Sequence, residues 1–326
     1  MVEEIAPLFY RIPIPLPASL LGSVNAYAIK GRGRDLIIDT GMDLDPCMQA
    51  MEEGLRLIDV DPAKSDFFIT HSHPDHFDLV SRLTRDGSVI LIDRREAETI
   101  ERVRSGAWFA DFRAFATMTG FPYREIREIL PPEVTRQLHK LGAWPFRFVK
   151  DGDTLSAGEY RLRCVETPGH SRGHMCLYEA EKRLLIAGDH LLSDITPGIH
   201  ARSDTEDPLR DYLQSLDNIY PLDVRLILPG HGDPFTGFRE RIGELKEHHR
   251  ARASEIMEEL KGGGKSIYEL ASRITWNVVD ADSWASVPDL QKLLATEEVF
   301  AHLMYLEGRG ALRKKVRKGR IMFFLA

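Results

Sequence analysis

The sequence of 326 residues predicts an α/β fold, and three observations carry that prediction. Short, apolar, strand-like runs alternate with amphipathic helical stretches through about residue 235. Chemistry-bearing residues stand directly after several of those runs, where sites gather in open α/β architectures. From Phe238 onward the alternation gives way to helices and a closing hairpin, so a second, smaller domain is expected.

Val24–Lys30 and Asp35–Asp39 read as strands around the turn at Gly31–Gly33. Asp45-Pro46 opens a helix as cap and first-turn proline, with an apolar stripe at Cys47, Met48, Met51, Leu55 and Ile58. Phe67–Ile69 and Val89–Ile92 are short buried strands, after which residues 94–142 form a charged, aromatic helical stretch that reads as an insertion. Strands resume at Phe146–Val149 and Tyr160–Val165, and Met175–Tyr178 with Arg183–Ala187 reads as a hairpin. Asp207-Pro208 starts a further helix with its stripe at Leu209, Tyr212, Leu213, Leu216 and Ile219, and the strand Val224–Leu228 follows.

The remaining stretch opens with a long helix from Phe238 to about Leu260, broken by Lys261 and three glycines. Ser266 and Glu269 form a capping box for Ile267–Ile274, and Thr296 is expected to cap Glu297–Glu307. Two strands then flank Lys318-Gly319. Three helices and a hairpin are the order of a winged-helix module, which places domains at 1–244 and 245–326.

Hydrophobic residues at 43% and charged ones at 29% exclude collagen-like, disordered and disulfide-scaffold classes. Cys47, Cys164 and Cys176 are an odd number without a Cys-x-x-Cys pair, as in a reducing compartment. Met1-Val2-Glu3-Glu4 carries acid where a secretory signal carries base, and no apolar run approaches the ~18 residues of a membrane span. The expectation is a soluble, cytoplasmic chain with no membrane partner. Its net charge of −7 is uneven: residues 309–320 hold seven basic residues and no acid. One local patch can therefore attract polyanions that the rest of the chain repels.

The densest chemistry is Thr70-His71-Ser72-His73-Pro74-Asp75-His76, directly after an apolar strand. Imidazoles and a carboxylate leaving one strand end together suit Zn²⁺ and similar ions. Thr167-Pro168-Gly169-His170, Ala187-Gly188-Asp189-His190 and Leu228-Pro229-Gly230-His231 repeat the arrangement after three later strands. Each alone could be a turn; four in series point to one site.

This set resembles the metallo-β-lactamase superfamily, whose H-x-H-x-D-H signature is present in full, over roughly residues 8–236. Ile38-Asp39-Thr40-Gly41 is similar to the family's first motif. The resemblance implies an αββα sandwich and two divalent ions, Zn²⁺ first, with Fe or Mn as alternatives. By the same resemblance His71, His73 and His170 hold the first ion, Asp75, His76 and His231 the second, and Asp189 bridges them. Asp39 orients ligands, His190 is a candidate for substrate contact or proton transfer, and His174 stands beside a ligand without being required as one. The implied activity is hydrolysis of an ester, thioester or lactone by metal-bound hydroxide, with Asp75 as the catalytic residue that orients water and passes its proton on.

A winged helix behind such a domain resembles the lactamase-beta-like 2 branch, whose mammalian members are associated with cleavage of single-stranded RNA. That makes endoribonuclease activity the alternative, with Arg313, Lys314, Lys315, Arg317, Lys318 and Arg320 as nucleic-acid contacts. An iron-dependent oxidoreductase on the same fold is a third reading. Sequence-specific DNA binding is not expected, because the helix that would enter the groove carries Glu297, Glu298 and Glu307 and no Lys or Arg. The small domain otherwise packs on the catalytic one or supports a homodimer.

Overall fold

The structure is a computed structural model that describes residues 1–17, 21–122, 146–276 and 283–326. It divides into two compact units. The first comprises Met1–Ile100, Gly142–Pro197 and Ser215–Ile242; the second comprises Glu101–Leu141, Gly198–Gln214 and Gly243–Ala326. The expected helical stretch at 94–142 is seen as helices Arg94–Arg104 and Trp108–Thr119; residues 123–142 lie outside the described ones.

The first unit is built on two sheets. One has seven strands in sequence order: β1 (Glu3–Ala6), β2 (Phe9–Pro15), β3 (Ser23–Ile29), β4 (Asp35–Ile38), β5 (Ser65–Phe68), β6 (Ile90–Asp93) and β7 (Phe146–Val149). β4 to β7 run parallel, so their carboxyl ends lie on one side. The other has five strands, β8 (Thr154–Ala157), β9 (Tyr160–Glu166), β10 (Met175–Glu179), β11 (Leu184–Gly188) and β12 (Leu226–Pro229). Its β11 and β12 are also parallel.

Apolar residues from the facing sides of both sheets make one core. Phe9, Tyr27, Ile38, Phe68 and Leu91 of the first sheet meet Tyr160, Leu162, Met175, Leu177, Ile186 and Leu228 of the second. The outer face of the first sheet buries Ile12, Ile14, Ile37 and Phe67 against Cys47, Met48, Met51 and Leu55 of helix α1 (Asp45–Leu57). Strands buried on both faces read as continuous apolar runs, which is why β5, β10 and β11 were legible as strands from composition alone. β1, β2 and β8 carry weaker signals, because edge strands and proline-containing strands mix polar residues into the run.

The second unit holds most of helix Phe238–Leu260, the short helix Ile267–Ala271, the long helix Asp289–Gly308, and a three-stranded sheet. In that sheet β13 (Lys265–Ser266) pairs β15 (Arg320–Leu325), which pairs β14 (Leu312–Arg317). Lys318 and Gly319 both take positive φ, 51° and 79°, the pair of left-handed residues that a two-residue hairpin turn requires.

Two expectations are corrected here. The last helix begins at Asp289, so Thr296 is not its cap but lies mid-helix, buried, donating its Oγ1 hydrogen to Lys292 O at 2.7 Å. A threonine four residues beyond a carbonyl satisfies itself that way, and the real start, behind Pro288, offers no Ser or Thr to mark it. Glu297 is likewise not displayed to any groove. It is buried, gripped by Arg202 at 2.6 and 3.2 Å, and its backbone oxygen accepts from Ala201 N.

Candidate metal centre

The first unit brings all seven expected ligands to one set of strand ends. His71 and His73 leave β5, and Asp75 and His76 sit in the single helical turn Pro74–Phe77 that follows. His170 follows β9, Asp189 follows β11, and His231 follows β12. Three groups of candidate ligand atoms lie within 4.8 Å of one another: His71, His73, His170; His71, His76, Asp189; and Asp75, His76, His231.

Hydrogen bonds set which imidazole nitrogen faces inward. Asp39, held at φ 55°, accepts from Thr70 N at 2.8 Å and from Thr70 Oγ1 at 2.7 Å. With its hydrogen spent there, Thr70 Oγ1 accepts from His71 Nδ1 at 3.0 Å, which leaves the His71 Nε2 lone pair pointing into the site. His76 Nδ1 donates to the same Asp39 carboxylate at 2.8 Å, and His231 Nδ1 donates to Ser23 O at 2.8 Å. In each case a partner on one nitrogen presents the other, as an orienting carboxylate or carbonyl does for a metal-binding histidine.

The inward atoms fit a cation. His71 Nε2, His73 Nδ1 and His170 Nε2 form a triangle with edges of 3.0, 3.2 and 3.0 Å. A tetrahedral ion with nitrogen bonds of about 2.0–2.1 Å has ligand separations of about 3.3 Å, so this triangle is close to metal spacing. Burial, aided by the neighbouring imidazoles, pushes His71 far below its ordinary value and His73 down to about 3, so their lone pairs are available.

The other half is carboxylate-rich. His231 Nε2 lies 3.3 Å from Asp75 Oδ2 and 3.4 Å from Asp189 Oδ2, and His76 Nε2 lies 3.6 Å from Asp189 Oδ1. Burial opposes charge on these imidazoles, yet Asp189 overrides it, holding His76 well above the usual histidine range and His231 at about 9. Burial would raise Asp75, but His76 and His231 keep it at about 2. A proton on either Nε2 would nevertheless be poorly served. His76 Nε2, His231 Nε2 and Asp189 Oδ1 are all buried without a hydrogen bond of acceptable geometry. An unmatched buried polar atom costs about 1–3 kcal/mol, and three facing one another are what a shared cation resolves.

The surrounding shell was mostly invisible in the sequence. Arg11, Asn25 and Tyr27 hold the loop that carries His231: Asn25 Nδ2 donates to Pro229 O and Gly232 O, Tyr27 OH donates to Pro229 O, and Arg11 bonds Asn25 and Asp233. Gly230 is required there, since a Cβ would stand 2.3 Å from Asp189 Oδ1. His174 accepts from Asp189 N at its Nε2 and meets Thr167 Oγ1 at its Nδ1, fixing the backbone of the central aspartate. His190 is buried, with its ring centroid 6.0 Å from that of His174. Cys176 and the other two cysteines are buried and free, and burial raises the Cys176 thiol to about 12, so it is no nucleophile. The basic residues of 309–320 belong to the second unit.

Comparison with known proteins agrees with the geometry. Residues 20–231 match the family described as the metallo-beta-lactamase superfamily. The chain is 24% identical to the probable metallo-hydrolase YqjP of Bacillus subtilis, across 93% of this chain and 92% of that one. It is 26% identical to the human acyl-coenzyme A thioesterase MBLAC2, across 77% and 87% respectively. A Thermus thermophilus metallo-beta-lactamase family protein, TTHA1429, superposes with a TM-score of 0.83 at 28% identity, covering 99% of this chain and all of that one. A beta-lactamase domain protein of Burkholderia ambifaria gives a TM-score of 0.81 at 25% identity, covering 100% and 93%.

Proposed function

The chain belongs to the metallo-β-lactamase superfamily and is a metal-dependent hydrolase, and on that premise we propose that it hydrolyses acyl thioesters with a pair of divalent ions, zinc first. The observation that carries the two-ion reading is the position of Asp189. Its Oδ2 lies 3.6 Å from His170 Nε2 and 3.4 Å from His231 Nε2, so one carboxylate touches both ligand groups. His71, His73 and His170 would hold one ion, Asp75, His76 and His231 the other, and Asp189 both.

When bound, the ions supply Lewis acidity, activating water at neutral pH and polarising the acyl oxygen. The chain's residues do the rest. Asp39 and Thr70 keep His71 and His76 in register, and Ser23 O does so for His231. Asp75 is the most exposed of the carboxylates here, at 21% of its side chain, which suits it to orient water and hand a proton to the departing thiolate. The acyl-thioester preference rests on relatives: MBLAC2 over most of its length, and an Aspergillus fumigatus protein named atrochrysone carboxyl ACP thioesterase, 29% identical over 109 residues.

A second reading, single-strand RNA cleavage, is favoured by one observation. Arg313, Lys315 and Arg317 project from one side of β14 around the Phe324 ring, with charge centres 5.8, 6.0 and 5.9 Å from its centroid. Together with Lys318 and Arg320 they have no acidic partner among the described residues; Lys314 lies 3.6 Å from Asp204. Helix order and the β13-β15-β14 sheet support reading 245–326 as a winged-helix-like module whose wing is this hairpin.

The deciding experiment runs metal-loaded wild type and His73→Ala side by side on acyl-CoA thioesters of graded chain length and on end-labelled, unstructured RNA. Thioester turnover lost in the variant supports the first reading. RNA cleavage that is lost in the variant and weakens with salt supports the second, and neither activity with both metals bound overturns both.

A further inference from the structure

Glu96 was not among the expected site residues, lies outside the signature motifs, and yet is one of the most deeply buried acids in the first unit, at 1% exposure. It stands in the first turn of helix Arg94–Arg104, where a negative side chain is favoured by the helix dipole. Its two carboxylate oxygens are divided between two loops. Oε2 accepts from Ser72 N at 2.8 Å and Ser72 Oγ at 2.5 Å; Oε1 accepts from Gly173 N at 2.6 Å. Ser72 sits between His71 and His73, and Gly173 is three residues beyond His170.

We propose that Glu96 is a positioning residue that joins the His71–His73 loop to the His170 loop and so sets the spacing of the three-imidazole metal position. The inference rests on the metal reading above and deepens it. The three nitrogens come from segments a hundred residues apart; Met175 N donates to Thr70 O at 3.0 Å where the two segments leave their strands, and nearer the site Glu96 adds the tie between Ser72 and Gly173. Local geometry is arranged to admit the strut: a Cβ on Gly173 would stand 2.2 Å from Asp93 Oδ1, so only glycine lets this backbone N–H come close. Asp93 is itself held by Arg95, which reaches Glu166 before the His170 loop.

The chemistry demands a carboxylate. All three donors face acceptor-only oxygens, and an amide offers one oxygen and one NH₂ group. Whichever way Gln turned at this position, NH₂ would oppose an N–H on one loop. The His231 side, held instead by Arg11, Asn25 and Tyr27, would feel nothing directly.

The test is cobalt and zinc titration of purified wild type, Glu96→Gln and Ser72→Ala, reading the cobalt ligand-field spectrum, metal stoichiometry, and the rate of metal loss to a chelator. Glu96→Gln is expected to weaken one of two bound ions by about 10–100-fold, the range for residues that orient metal ligands, leaving the other unchanged. Ser72→Ala removes a single hydroxyl donor and is expected to give a smaller shift at the same ion, which keeps the proposal testable if Glu96→Gln fails to fold. Unchanged affinity and spectra in both variants, with only thermal stability reduced, would overturn the strut and leave Glu96 a part of the fold. Wild type that takes up neither metal would instead overturn the metal reading beneath it.

Discussion

Each unit buries a group of histidines, and the two groups do opposite things. In the first unit five imidazoles converge with Asp75 and Asp189, their inward nitrogens 3.0–3.2 Å apart in one triangle and without hydrogen bonds in the other half. In the second unit His249 Nδ1 and His302 Nε2 also meet at 3.2 Å, but His302 Nδ1 donates to Glu298 O in its own helix and His249 packs edge-on against Tyr212. No carboxylate and third ligand converge there among the described residues, and burial drives His249 to about 2 and His302 to about 4. Burial and close contact between imidazoles are shared. What distinguishes a metal position is convergence of lone pairs with unpaired carboxylate oxygen, and partners on the far nitrogens that aim them.

That contrast can be broken most forcefully at His73. His73→Ala is expected to lower hydrolytic turnover by at least a hundredfold with the fold intact, measured by steady-state kinetics beside circular dichroism. Normal turnover would remove the first cluster's distinction. Chelation should act on the same cluster: exhaustive dialysis against a chelator abolishes activity and lowers the melting temperature, and zinc restores both.

In the second unit the largest loss comes from its ion pair. Arg202→Ala leaves the buried Glu297 carboxylate without its bidentate partner and should cost about 3 kcal/mol by chemical denaturation, with metal content unchanged. Loss of metal with it would show that the clusters are not independent.

His302 gives a pH signature of the structural cluster. Its folded value, about 4, lies below the ordinary 6.5, chiefly through burial. The unfolded chain therefore binds the extra proton between those values, and the stability this histidine contributes is complete above pH 6.5 and lost as pH falls toward 4. The difference in unfolding free energy between wild type and His302→Gln should rise with pH by about 1.4 kcal/mol per unit across that window. A flat difference would mean that His302 is not held neutral. The smallest effect is Ser266→Ala, which removes the cap accepting from Glu269 N and should cost about 1 kcal/mol without touching activity.

Seven candidate ligands were legible because each follows a strand, and strands buried on both faces announce themselves by composition. Their arrangement into one site depended on recognising a pattern; no single Gly-His turn would have shown it. Glu96, Asn25 and Arg11 left no trace, since one Glu in a charged helix or one Asn in a strand looks the same whether it faces solvent or a buried backbone N–H. Thr296 misled for a related reason: a hydroxyl that bonds its own helix looks, in sequence, like one that begins it.

Local sequence thus determined the strands, most of the helices, the positions where ligands leave the sheets, and the uneven charge of residues 309–320, because those follow from short-range periodicity and composition. Tertiary structure alone decided which nitrogen of each histidine faces inward, which carboxylate serves both ligand groups, and that Glu297 is buried on Arg202 and not displayed. Those outcomes are set by partners tens to hundreds of residues away, and distance along the chain carries no information about them until the sheets have packed.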